Sequence, residues 1–73
     1  MANYPRTTEG FATALAAAKS VAKMHPDKEY VLYVDYRNPN EYGVTMRGLF
    51  DHSTVLDGTA ACVIDAEGNM TTI

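Results

Sequence analysis

Residues 29–44 read EYVLYVDYRNPNEYGV, and their first nine letters decide the fold. Tyr30, Leu32, Val34 and Tyr36 alternate with Glu29, Val31, Tyr33, Asp35 and Arg37, the period-two pattern of a strand. The tyrosines therefore fall on both faces. NPNEYG then reads as a turn, because Pro39 presets one dihedral and Asn38, Asn40 and Gly43 tolerate unusual ones. A second strand is predicted over 43–50, with Val44, Met46 and Phe50 on one face and Thr45, Arg47 and Leu49 on the other.

Further along, Asp57-Gly58 between STVL and TAACVID is a two-residue hairpin signal and predicts a third strand over 59–65. Pairing through it sets Val55 opposite Ala60 and Ser53 opposite Cys62, which are out of phase with the second strand. A bulge or break near Asp51-His52 is thus expected. DAEGN is a further turn, and residues 70–73 form a short terminal strand.

Upstream, Phe11, Ala14, Leu15, Ala18, Val21 and Ala22 recur at helical spacing. Thr7 or Thr8 serves as N-cap, Glu9 complements the positive helix end, and Pro26 stops the helix near Met24. Six alanines between positions 12 and 22 favour the helix and let its axis lie close to what it covers. Residues 1–6 lack periodicity and read as a mobile N-terminal arm before a single domain over 7–73. The expected fold class is α+β: one N-terminal helix packed on a three- to four-stranded antiparallel meander sheet.

A chain of 73 residues buries only about 60% of its unfolded surface, so the core is thin. Its single cysteine, Cys62, excludes an internal disulfide and reads as a small buried hydrophobe in a strand. No signal peptide or spanning segment is legible, which points to a soluble, cytoplasmic protein. Residues 1–28 carry four cations against two carboxylates, and residues 29–73 carry two against seven. The strand side is acidic.

Little here predicts chemistry. Asp51-His52-Ser53 holds the letters of a catalytic triad, but neighbouring strand residues point to opposite sides and cannot converge. His25 and His52 lack metal-ligand spacing, and Gly10 stands alone rather than in a phosphate cradle. No enzyme activity, metal or cofactor is expected. Tyr33 with Arg37 and Arg47 begins a base-stacking platform, yet the acidic surroundings argue against direct nucleic-acid binding.

A lone helix covers one sheet face. The other face is expected to be open and to carry Val31, Tyr33, Thr45, Arg47, Leu49, Ala61 and Val63, rimmed by Glu29, Asp35 and Arg37. Tyrosine and arginine anchor protein interfaces, so Tyr33, Arg37, Tyr42, Arg47 and Leu49 are the candidate partner-binding residues, with Tyr4 and Arg6 on the arm as a second set.

In length, alanine-rich helix and YVLYVDY meander, the chain resembles the phage-encoded inhibitors of bacterial RNA polymerase that also act as antiterminators. That resemblance spans the whole chain and rests on layout. It implies a host-takeover protein that is a monomer when free, docks on the large polymerase subunits in the host cytoplasm, blocks promoter engagement and later promotes antitermination. Two rivals share the same requirements: an anti-CRISPR or other anti-defence inhibitor acting by protein binding, and a self-associating structural subunit.

Overall fold

Thr7 adopts an extended conformation and its side chain accepts the Gly10 N–H at 3.0 Å, opening helix α1 (Thr8–Met24) with an N-cap. The helix closes at His25, whose backbone N–H reaches back to Val21, before Pro26. A computed structural model describes residues 3–73, and within it α1 lies on an antiparallel sheet. Its strands are β1 (Asn3–Pro5), β2 (Tyr30–Tyr33), β3 (Glu41–Met46), β4 (Cys62–Ile64) and β5 (Met70–Thr72). The α+β class holds, with five strands instead of three or four.

The helix meets the sheet through its smallest residues. Gly10, Ala14, Ala18 and Ala22, spaced four apart, are its buried positions, so one stripe without bulky side chains settles onto Leu32, Val44 and Ile64. Phe11 and Leu15 flank the stripe, joined by Tyr4, Tyr30 and Tyr42 from the sheet. Gly10 is the tightest point. A Cβ built there would stand 1.7 Å from the Pro5 carbonyl oxygen, the same atom that accepts the Thr7 N–H at 2.8 Å. The first helical turn is thus locked against β1.

That contact corrects the expected N-terminal arm. Asn3, Tyr4 and Pro5 pair with Gly43, Tyr42 and Glu41, and Arg6 donates its backbone N–H to Asn40, so residues 3–5 form an edge strand. Residues 1 and 2 lie outside the described residues.

The sheet order is β1-β3-β2-β4-β5, which is not a meander. β3 and β4 are each antiparallel to β2 and flank it, so they run parallel to one another and need a crossover. Residues 47–61 supply it. They pass over the face opposite the helix, where Phe50 and Val55 pack with Tyr33 on buried Val31, Ala61 and Val63. The sheet therefore has two cores, and the open face expected from the sequence is covered: Val31 and Val63 are buried, and Tyr33 is half-buried.

Two local features explain the change. Only Gly58 has a positive φ in the Asp57-Gly58 turn, closed by the Thr59 N–H on Leu56, whereas a tight hairpin needs positive φ at the first central residue or at both. STVL does not fold back on TAACV; it pairs with 34–36 through Leu56 N–H to Val34, Tyr36 N–H to Thr54 and a bridge between Asp35 and Val55. The break expected at Asp51-His52 is present as a 3₁₀ turn at His52–Thr54, and another at Arg47–Leu49 precedes it. That earlier turn resets side-chain phase. Phe50 consequently joins the second core instead of sharing a face with Val44.

Replacing Gly10 by alanine is expected to destabilise the fold by about 1–3 kcal/mol in urea unfolding, despite alanine's better helix propensity, because Pro5 must move. Gly48→Ala, where an added Cβ meets nothing within 4 Å, serves as the neutral control. An undiminished midpoint for Gly10→Ala would contradict the packing described.

Candidate protein-interaction surface

The turn joining β2 to β3 is built around one carboxylate. Asp35 Oδ1 accepts the backbone N–H of Arg37 at 2.8 Å and its Nε–H at 2.9 Å, and Oδ2 accepts Nη2 at 2.6 Å. The pair is bidentate, with Asp35 mostly covered at 14% exposure and Arg37 facing solvent at 62%. The Arg37 side-chain and backbone hydrogen bonds pull the Asp35 carboxyl from 3.8 to about 2, and Asp35 in turn raises the guanidinium above its ordinary range.

Arg37 also lies over the Tyr36 ring at 5.8 Å from its centroid, within cation–π range. Tyr36 was expected on the covered face as the last member of an alternating strand. Instead β2 ends at Tyr33, the chain turns at 36–37, and Tyr36 is 56% exposed. Its backbone N–H remains tied to Thr54. The result is an aromatic and a cation presented together on a hydrogen-bonded turn.

Shallow, open depressions surround this turn. Pro5, Arg37, Asn38, Pro39, Asn40 and Glu41 line one of about 550 Å³; Arg6, Thr7, Thr8, Phe11 and Tyr42 line a second of about 460 Å³. Tyr36, Ser53, Val55, Leu56 and Asp57 line a third. Arg6 joins the group by donating from Nη1 to the Pro39 carbonyl at 3.1 Å.

Of the residues proposed from sequence, the fold gathers Arg6, Arg37 and Tyr42 at this end. Tyr42 meets Phe11 edge-on at 5.4 Å, and Tyr4 packs against the helix-side core, so both are only partly available. Tyr33 is engaged with Phe50 at 5.0 Å, its ring beside Gly43, and belongs mainly to the interior. Arg47 and Leu49 follow the opposite end of β3, on the order of 20 Å along the strand from the turn. There Arg47 bonds Glu29 at 2.7 Å while Leu49 is 72% exposed. Arg47, tied to Glu29 at that end, does not share a surface patch with Arg37.

Asp51, His52 and Ser53 form a capped 3₁₀ turn. Asp51 Oδ1 accepts both the N–H and the hydroxyl of Ser53, at 2.9 and 2.8 Å, and these bonds lower the carboxyl pKa. His52 sits edge-on to Phe50 at 4.8 Å. Cys62, expected to be buried, is partly exposed and unpaired, because α1 lies over β1, β3 and β2 and touches β4 only at its margin. Among the described residues no cluster of three or more His, Cys, Asp or Glu is placed to hold a metal, and no helix is long and apolar enough to cross a membrane.

No protein-family model matches the chain, and no curated protein or solved structure shows significant similarity to it.

The Asp35 clamp carries a defined pH signature. Its carboxyl titrates lower in the folded chain than its ordinary value of 3.8, so its contribution to stability is complete above about pH 4 and is lost as pH falls towards 2. Following the side-chain carboxyl by NMR should give a midpoint near 2, and Asp35→Asn should remove that part of the acid dependence. A midpoint near 4 would mean that the clamp is not formed.

Proposed function

We propose that this chain is a non-enzymatic host-takeover protein that acts in the host cytoplasm by binding a protein complex, with bacterial RNA polymerase as its target. Inhibition of initiation and promotion of antitermination follow from that docking. The target rests on what remains of the resemblance described above, the length and the alanine-rich helix, since the meander is replaced by a crossover sheet. The observation that carries the binding mode is the Tyr36–Arg37 pair on its Asp35-clamped turn, with Arg6 held to Pro39 alongside.

Tyrosine and arginine contribute disproportionately to protein interfaces because each offers broad contact area and a polar tip. Here much of their ordering precedes contact, which reduces the entropy lost on docking. On the strand side, where carboxylates outnumber cations, Arg37 is paired with Asp35 and Arg47 with Glu29, so that surface offers a phosphate backbone little free positive charge and favours a protein partner over nucleic acid. Covering of the sheet's second face moves the proposed contact from the strands to the turn.

The test is a pull-down from bacterial lysate with the intact chain as bait, followed by affinity measurement on purified polymerase. Recovery of the large subunits is expected. Tyr36→Ala and Arg37→Ala should each weaken binding by at least about tenfold while leaving the far-ultraviolet circular dichroism unchanged. Recovery of a nuclease complex in place of polymerase would overturn the target, and full affinity in both variants would overturn the surface.

A further inference from the structure

The two edges of the sheet differ in whether another strand can join them. On β1, the bond from Arg6 N–H to Asn40 fixes the ladder so that Tyr4 bonds inward to β3 and the main-chain groups of Asn3 and Pro5 point outward. Pro5 has no N–H, and its carbonyl already accepts from Thr7. That edge is blocked.

On β5 the alternation leaves the opposite result. Asp65 N–H bonds Asn69 and Ile73 N–H bonds Ala61, which turns Thr71 inward towards Val63 and directs the N–H and carbonyl groups of Met70 and Thr72 away from the sheet. Among the described residues nothing pairs with them. The stretch Met70–Ile73 contains no charged side chain and no proline, and it displays two of the large exposed hydrophobics, Met70 at 48% and Ile73 at 40%, on its two faces. None of the usual devices that protect an edge is present except shortness.

We propose that β5 pairs with β5 of a second copy of this chain, antiparallel about a two-fold axis at Thr71. The outward groups are self-complementary in that register. Met70 faces Thr72 of the partner and Thr72 faces Met70, each pair exchanging two main-chain hydrogen bonds, while the two Thr71 side chains meet across the axis. The acidic turn containing Asp65 and Glu67 falls at opposite ends of the pair, so the two turns are kept apart from each other. Because β1 is blocked by Pro5, pairing stops at the dimer and does not extend into a filament. The contact is small, so the chain is a monomer when dilute and a dimer when concentrated, a departure from the free monomer expected from the sequence. This association is independent of the polymerase reading and uses the opposite edge of the sheet from β1 and Arg6.

Sedimentation equilibrium of the intact chain from about 5 μM to about 1 mM should show a reversible monomer–dimer transition. Amide exchange should slow with concentration at Met70 and Thr72, whereas Thr71 stays protected throughout. Thr72→Pro removes an outward N–H without breaking the ladder to β4, and Thr71→Lys sets two like charges face to face at an exposed position. Each should raise the dissociation constant at least about tenfold. If Thr72→Pro fails to fold, Thr71→Lys carries the comparison. Monomer mass at every concentration, a dimer unaffected by Thr71→Lys, or growth beyond the dimer would each overturn the proposal.

Discussion

The parallel placement of β3 and β4 on either side of β2 governs this structure. Two parallel strands separated by a third cannot be joined by a tight turn, so the chain must travel across a sheet face. One face is already occupied by α1, and residues 47–61 take the other. β2 thereby becomes the centre of a three-layer arrangement, with adjacent Val31 and Leu32 buried in different cores at 0% and 2% exposure. A short chain thus covers both faces of its central strand with one helix and one irregular crossover.

Close approach on the helix side follows from small side chains, and the geometry at Gly10 ties that approach to the sheet's edge. The Pro5 carbonyl is in contact with the first turn of α1 and accepts from Thr7, so helix start, edge strand and edge closure share one atom. Residue 5 therefore acts twice: as a proline it offers no N–H for pairing on the outer side of β1, and its backbone carbonyl meets the first turn of the helix. The surface features at the turn depend on the same arrangement, since Arg6 reaches the Arg37–Pro39 turn because β1 lies against β3.

Local chemistry was readable from the letters. The N-cap, the alanine stripe, the stop before Pro26 and the existence of a strand around Val31 all depend on neighbours within a few positions, and the helix lies where the pattern puts it while the strand, expected over 29–37, is shorter. The choice of strand partners was not readable, because it is settled by contacts between residues far apart in sequence. Asp57-Gly58 does make a turn, but with positive φ at Gly58 alone, and segment 54–56 pairs with 34–36 in preference to its sequence neighbour. Apolar residues on both faces of EYVLYVDYR were compatible with an exposed docking face or a doubly covered strand. Phe50 and Val55 decide for cover, and Tyr36, assigned inward by simple alternation, is released to the surface because β2 ends at Tyr33.

Covering of the second face also changes where function can reside. A surface built from Val31, Tyr33 and Val63 would require the crossover to leave, whereas Tyr36 and Arg37 are accessible with both cores intact. The most direct test of the arrangement is a nuclear Overhauser spectrum of the free chain in solution. Contacts from the Phe50 ring and the Val55 methyls to the methyl groups of Val31, Ala61 and Val63 are predicted. Their absence, together with strong relaxation of the Val31 and Val63 methyls by a soluble paramagnetic probe, would show an uncovered sheet face and contradict the account.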